Sequence, residues 1–290
     1  MSSVVTVNDF PDICNTIYEE RISVANLSRR YIQELRETSC MANILYANKL
    51  EERSKMLQTQ KLKELERDFY YFKEFMRRNC KIPFSIKYRL KDFIRYNDKI
   101  RYLLTKGEPL DRIRDLLGIR IILTSPPKDT LEIVQQCYQI LDFVILFFVV
   151  QKHGLPLYLS GRSAADKNFN ITEHPEIVIP EESLIPKVFR ECVKDYIIHP
   201  KGEGAYQSLH IVIKMQNGVT VEFQIRTFAM DVSAEEGSSS HKVYTTNRRE
   251  KTDIDLDYSK IQLPGFAYLP NGIICDTSGL TKSINPFNFF

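Results

Sequence analysis

The N-terminal part of this chain lacks the residues that interrupt helices. Its first glycine is Gly107, and no proline lies between Pro11 and Pro83. Residues 12–80 are dense in Leu, Ile, Glu, Lys and Arg, which predicts a long helical region with solvated, alternately charged faces. Histidine is scarce: there are five, the first at His153. A histidine-based metal hydrolase therefore finds no ligands in the helical first half. Six cysteines are scattered at positions 14, 40, 80, 137, 192 and 275, with no Cys-x-x-Cys pair and no histidine nearby. That spacing excludes a zinc site and a disulfide framework, and predicts reduced, mostly buried thiols of a cytosolic-type compartment.

Charge of one sign is also lacking. Forty Lys and Arg stand against thirty-seven Asp and Glu, a net charge of +3. So mild a balance argues against nucleic-acid binding over the whole surface, and no DNA partner is expected. Met1-Ser2-Ser3-Val4-Val5 offers no basic start and no apolar stretch of signal-peptide length. The most apolar segment, residues 143–150, falls short of the roughly 20 residues that a membrane helix needs. It reads as a buried strand or a core helix, and the expectation is a cytoplasmic protein without a membrane partner. Walker loops, Gly-x-Gly-x-x-Gly, His-Glu-x-x-His and Gly-x-Ser-x-Gly are all missing. Asp253, Asp255 and Asp257 imitate the start of a calcium loop, but Tyr258 and Pro264 stand where glycine and glutamate are needed.

A chain of 290 residues can bury a substantial core in one or two domains. Three regions are expected: helical residues 1–80, an α+β domain over 81–245, and a polar tail over 246–290. From residue 82 to about 123 the pattern predicts helix, helix, then strand. Arg112 to Gly118 reads as a helix ended by glycine, and residues 119–123 as a short β-branched strand. A helix follows over residues 130–141. Residues 144–182 read as an insertion, rich in loop-forming residues beyond 151. A further helix is expected from Met230, interrupted near Gly237.

The densest signal is Val221-Glu222-Phe223-Gln224-Ile225-Arg226-Thr227, preceded by Tyr206-Gln207-Ser208-Leu209-His210. Ile211-Val212-Ile213 and Gln216-Asn217-Gly218 between them predict two strands and a turn. In a strand, Glu222, Gln224 and Arg226 share one face, and Val221, Phe223 and Ile225 the other. A carboxylate, an amide and a guanidinium in line suit a phosphate-and-metal site. The same pattern also fits a half-exposed edge strand. A second cluster, Arg89, Lys91, Arg95 and Lys99, is basic at helical spacing. It could converge on one polyphosphate or form an ordinary solvated face. Asp115, just ahead of the strand carrying Arg120, is either a cap or a ligand. Magnesium usually takes only one or two carboxylates plus substrate phosphates, so Asp115 and Glu222 would suffice if folding joined them.

Taken in order, these clusters resemble the RelA/SpoT family of alarmone synthetases. The resemblance rests on Arg89, Lys91 and Lys99, on Asp115-Leu116-Leu117-Gly118-Ile119-Arg120, and on Asp195-Tyr196-Ile197 with Pro200-Lys201. It continues through Tyr206 to His210, the strand Val221 to Thr227, and Met230-Asp231, Ala234-Glu235, Gly237, His241 and Tyr244. It covers roughly residues 80–245. The resemblance implies a nucleotidyltransferase-like mixed sheet flanked by helices. It implies transfer of the β,γ-pyrophosphate of ATP to the 3′-hydroxyl of GDP or GTP. By the same resemblance, Arg89, Lys91, Lys99 and Arg120 hold ATP, and Asp115 and Glu222 bind Mg2+ and carry catalysis. Tyr206, Lys201, His210 and Gln224 place the acceptor.

The chain departs from the family pattern at several points. Arg95 replaces a common serine, Lys242 a common tryptophan, and Ala205 the glycine that usually precedes the tyrosine. Alanine tolerates a positive φ poorly. An adenosine nucleotide or the 3′ end of an RNA such as tRNA is therefore an alternative acceptor, and a non-catalytic nucleotide-binding relative is a third reading. With no histidine before His153, synthesis without hydrolysis is expected. A homo-oligomer is compatible with the sequence.

Overall fold

The structure is a computed structural model. It describes residues 33, 36–37, 41–91, 96, 99–100, 102–103, 109–124, 128–158, 171–202, 205–236, 266–268 and 274–276. Its first elements are α1 (Met41–Met56), α2 (Thr59–Asn79), β1 (Phe84–Leu90), β2 (Leu117–Leu123) and α3 (Leu131–Val144). They are followed by β3 (Leu155–Pro156), β4 (Val193–Asp195), β5 (Leu209–Lys214), β6 (Thr220–Thr227), α4 (Phe228–Glu236), β7 (Phe266–Tyr268) and β8 (Ile274–Asp276).

The chain divides into two compact units. The first comprises Met1–Pro11, Thr59–Leu90 and Arg114–Arg249; the second comprises Asp12–Gln58, Lys91–Ile113 and Glu250–Phe290. In the second unit, the Arg53 guanidinium lies 5.6 Å from the centre of the buried Tyr96 ring, whose hydroxyl reaches the Lys49 carbonyl at 3.5 Å. That unit also holds the short antiparallel pair of β7 and β8.

The first unit is built on a mixed sheet in the order β1-β2-β6-β5-β3, with β4 also paired to β5. Among the described strands, β2 and β6 form the one parallel pair. Strict alternation explains its two faces. Ile86, Ile119, Ile121, Phe223, Ile225 and Ile211 are buried together. Lys87, Arg89, Arg120, Glu222 and Gln224 are at least partly exposed on the other side.

Helices α2 and α3 cover the apolar face. Phe69 stacks on Tyr88 at 5.6 Å, Phe72 meets Phe148 at 4.8 Å, and Phe148 meets Phe223 at 4.8 Å. Each such ring pair adds about 1 kcal/mol beyond the area it buries. The Thr130 hydroxyl caps α3, accepting the Ile133 N–H at 3.3 Å. Beyond Val144 the helix continues with π winding over Ile145–Gln151. The combined run Leu131–Gln151 is, by length and composition, long and apolar enough to cross a membrane. It buries Val134, Ile140, Leu141, Val144, Phe147 and Phe148, as a core helix does, so residues 143–150 adopt the helical alternative of their two readings.

Several local expectations are corrected. Residues 84–90, expected to be helical, form β1, because Ile86 and Tyr88 alternate with Lys87 and Arg89 at period two. Arg89 therefore stands on a strand, and Lys91 follows it. Arg112 does not open a helix running to Gly118. Leu110–Arg112 is a single 3₁₀ turn, and Gly118 lies inside β2. The first part of 144–182 contributes the π-wound run and β3, which pairs with β5; residues 159–170 fall outside the described residues. The same holds for Arg95, Gly237, Lys242, the 253–257 aspartates and most of residues 1–40. Cys80, Cys137 and Cys192 are free thiols.

Candidate active site

Register decides which polar side chains become neighbours. Across the polar face, one row runs Arg89, Gly118, Glu222 and Val212, and the next runs Lys87, Arg120, Gln224 and His210. Gly118 leaves the row between a guanidinium and a carboxylate clear of any side chain. A Cβ built there would meet nothing nearer than 3.8 Å, so packing alone does not demand glycine at this position. Asp115, two residues before β2, lies close enough for its charge to push the Glu222 carboxyl upward.

Glu222 belongs to a closed hydrogen-bonded circuit. Arg226 Nη2 donates to Tyr206 Oη at 3.2 Å and to Gln224 Oε1 at 2.7 Å. Tyr206 Oη contacts His210 Nε2 at 2.8 Å, and His210 Nδ1 contacts Glu222 Oε1 at 3.2 Å. Gln224 Nε2 closes the circuit by donating to Glu222 Oε2 at 2.9 Å. A guanidinium only donates and an ionised carboxylate only accepts, so Tyr206 accepts from Arg226, and His210 donates through Nδ1 to Glu222.

Burial lowers the His210 pKa from its ordinary value, against the opposing charge of Glu222. Burial alone would raise Glu222, and Asp115 adds to that push. The charge and hydrogen bond of His210, with the Gln224 amide, outweigh both and hold Glu222 below the usual carboxylate range. Burial raises the Tyr206 phenol and keeps it a donor.

The joint after β6 brings in a second set of acids. Thr227 Oγ1 donates to Asp129 Oδ2 at 2.6 Å and accepts the Met230 N–H at 3.1 Å, which caps α4. Asp231 and Glu235, one turn apart on α4, then meet the cations of the sheet. Arg120 Nη1 lies 2.7 Å from Glu235 and 3.3 Å from Asp231; Lys87 Nζ lies 3.1 Å from Asp231. Arg226 Nη1 stands 3.4 Å from the same Asp231. Burial raises Glu235, but Arg120, Arg226 and Arg89 outweigh it and hold it low.

Lys201 and Tyr206 form an antiparallel bridge, their backbones exchanging hydrogen bonds at 3.0 Å. The loop between them requires left-handed residues: Gly202 has φ 71° and Ala205 φ 47°. Ala205 thus occupies the backbone region that its glycine-bearing counterparts favour. Lys201 Nζ lies 5.8 Å over the Tyr196 ring, which meets Tyr206 and His210 edge-on. Tyr196 is fixed by its neighbour Asp195, a buried carboxylate that accepts from the Tyr138 and Ser183 hydroxyls and from the N–H groups of Ile197 and Ile198.

The first unit therefore gathers Asp115, Arg120, Tyr206, His210, Glu222 and Gln224, with Arg89 and Lys201 on adjoining elements. Lys91 and Lys99 belong to the second unit. The sequence pattern placed the Arg226 guanidinium on the phosphate-facing side of β6, whereas it is 1% exposed and bonded to Tyr206 and Gln224. Sequence reasoning left Asp231 and Glu235 without a role, and their four-residue spacing on α4 is the signal that could have singled them out. Among the described residues no group of three His, Cys, Asp or Glu forms a metal cage. Asp115 and Glu222 are nonetheless hard oxygen donors of the number that magnesium takes when phosphates complete its shell.

Glu222 and Gln224 with Arg89 and Arg120 give the mixed sheet of this α+β unit one charged face. More particularly, residues 165–249 match the family model described as the region found in RelA / SpoT proteins. It is 31% identical over 163 residues to a guanosine-3′,5′-bis(diphosphate) 3′-pyrophosphohydrolase of Aquifex aeolicus (strain VF5), a match covering 56% of this chain and 16% of that protein. It is 48% identical over 64 residues to the bifunctional (p)ppGpp synthase/hydrolase SpoT of Escherichia coli (strain K12), covering 22% of this chain and 9% of that one. The chain thus spans less than a fifth of the length of these curated relatives. Among solved structures, the small alarmone synthetase 1 from Bacillus subtilis bound to its product pppGpp is similar at 20% identity and TM-score 0.35, over 69% of this chain and 89% of that one.

Proposed function

We propose that the protein is a nucleotide pyrophosphokinase that moves the β,γ-pyrophosphate of ATP to the 3′-hydroxyl of GDP or GTP, forming (p)ppGpp and AMP. The observation that carries this reading is the strand register, which sets Arg89 and Glu222 on either side of Gly118 and beside the row of Arg120, Gln224 and His210 on the same sheet face. Phosphoryl-type transfer depends on positioning and on neutralising phosphate charge more than on covalent help from the protein. Arg89 and Arg120 draw the triphosphate to this face. Glu222, ionised and fixed by two hydrogen bonds, accepts the proton of the attacking hydroxyl. Tyr206 offers a ring to the acceptor base, while His210, Gln224 and Lys201 orient the acceptor. Mg2+ held by Asp115 and Glu222 would neutralise charge on the phosphates.

Product analysis tests the reading. The protein with ATP, GDP and Mg2+ is expected to yield AMP and guanosine tetraphosphate, and Glu222→Gln to lower turnover about a hundredfold or more. Wild-type turnover in that variant would remove Glu222 from the reaction.

The left-handed φ of Ala205, costlier for alanine than for glycine, motivates a second reading of the acceptor. An adenosine nucleotide or a tRNA 3′ end then receives the pyrophosphate. GDP, ADP and tRNA in competition separate the two: labelled product on GDP supports the first reading, and label on either of the others supports the second.

A further inference from the structure

We propose that Arg226 is the positioning residue of the acceptor half of the site, holding the Tyr206 ring and the Gln224 amide in one fixed relation to Glu222. This inference rests on the function proposed above. Arg226 is 1% exposed, and it is the largest of the fully enclosed side chains. Enclosing a guanidinium is costly, and here the compensation is incomplete. Nε and Nη1 have no hydrogen-bond partner, and Asp231 stands 3.4 Å from Nη1 without bonding geometry. An apolar side chain would fill the same space without that cost. What an apolar side chain could not do is what Nη2 does. Its two protons are divided between Tyr206 Oη at 3.2 Å and Gln224 Oε1 at 2.7 Å.

Both arms then end on the same carboxylate. One runs through Tyr206 and His210 to Glu222 Oε1, the other through Gln224 to Oε2. Planarity fixes the angle between the two N–H bonds, so the phenol and the amide cannot turn independently. The guanidinium carbon also lies 5.3 Å from the Tyr206 ring centre, which restrains the ring plane. Arg226 reaches the reacting groups only through other residues, so its effect is on placement.

Steady-state kinetics with ATP and GDP varied separately, and calorimetric titration of GDP, test the proposal on Arg226→Lys and Arg226→Gln. The expected result is an acceptor KM and GDP Kd raised about tenfold to a hundredfold with the ATP KM unchanged, and partial rescue by lysine relative to glutamine. Should these variants lack a cooperative unfolding transition, Tyr206→Phe replaces them. It cuts one arm at the hydroxyl and keeps the aromatic face, and it is expected to raise the acceptor KM selectively. A wild-type acceptor KM and Kd in the folded variants overturns the proposal. Equal losses for ATP and acceptor overturn it too, because they mark Arg226 as a general support of the fold. A wild-type protein that transfers pyrophosphate to no acceptor refutes the proposed function instead. In that case a selective loss of GDP binding in the variants still upholds the positioning role.

Discussion

At the scale of single residues, Glu222 is set by opposed influences. Burial and Asp115 push its proton affinity up, while His210 and Gln224 push it down and prevail. His210 is itself held below its ordinary value by burial. Both groups therefore bind protons more weakly in the folded chain than in the unfolded one. Each contributes stability that is complete above its ordinary value, 6.5 for the imidazole and 4.5 for the carboxyl, and that is lost as pH falls through the folded value. Urea midpoints measured from neutral to acidic pH are expected to fall below pH 6.5 and to steepen below 4.5. In Glu222→Gln the lower part of that decline should be shallower; identical slopes in both proteins would contradict the assignment. The identity of this carboxylate was legible from the alternation of β6. Its environment was not, because His210 and Tyr206 reach it only through the pairing of β5 with β6.

Among the elements, the turn from β6 into α4 joins the core to the charged face. Thr227 ends the strand, caps the helix and donates to Asp129, whose Oδ1 already lacks a partner. Thr227→Ala is expected to cost about 2 kcal/mol, the cap together with the hydrogen bond removed from a half-buried carboxyl. Thr227→Ser should retain most of the stability. Denaturant unfolding of the three proteins checks this, and an alanine variant as stable as wild type would refute it. The hairpin of β5 and β6 could be read directly, since its strands alternate cleanly around Asn217-Gly218. Strand β1 could not. Its basic residues satisfy a helical spacing as well as a strand spacing, and only its seven-residue register with β2 separates the two. The apolar run at 143–150 was ambiguous for a related reason: a fully buried segment shows no amphipathic period.

For the whole molecule, the motifs could be read in order along the chain, whereas the rows that Arg89, Arg120, Glu222 and Gln224 form across the sheet follow from topology. The curated relatives include bifunctional synthase/hydrolase and pyrophosphohydrolase names, yet residues 1–152 of this chain contain no histidine. The protein incubated with ppGpp and Mg2+ is accordingly expected to release no pyrophosphate, as followed by chromatography. Steady release would overturn the expectation of synthesis without hydrolysis. The parallel pairing of β2 with β6 has a further consequence. Gly118 aligns with Glu222 across most of the intervening chain, so neither half of the sequence contains a working site. Ligand affinity should therefore arise late in refolding, after the slow long-range closure, and cleaved fragments should regain it only when mixed.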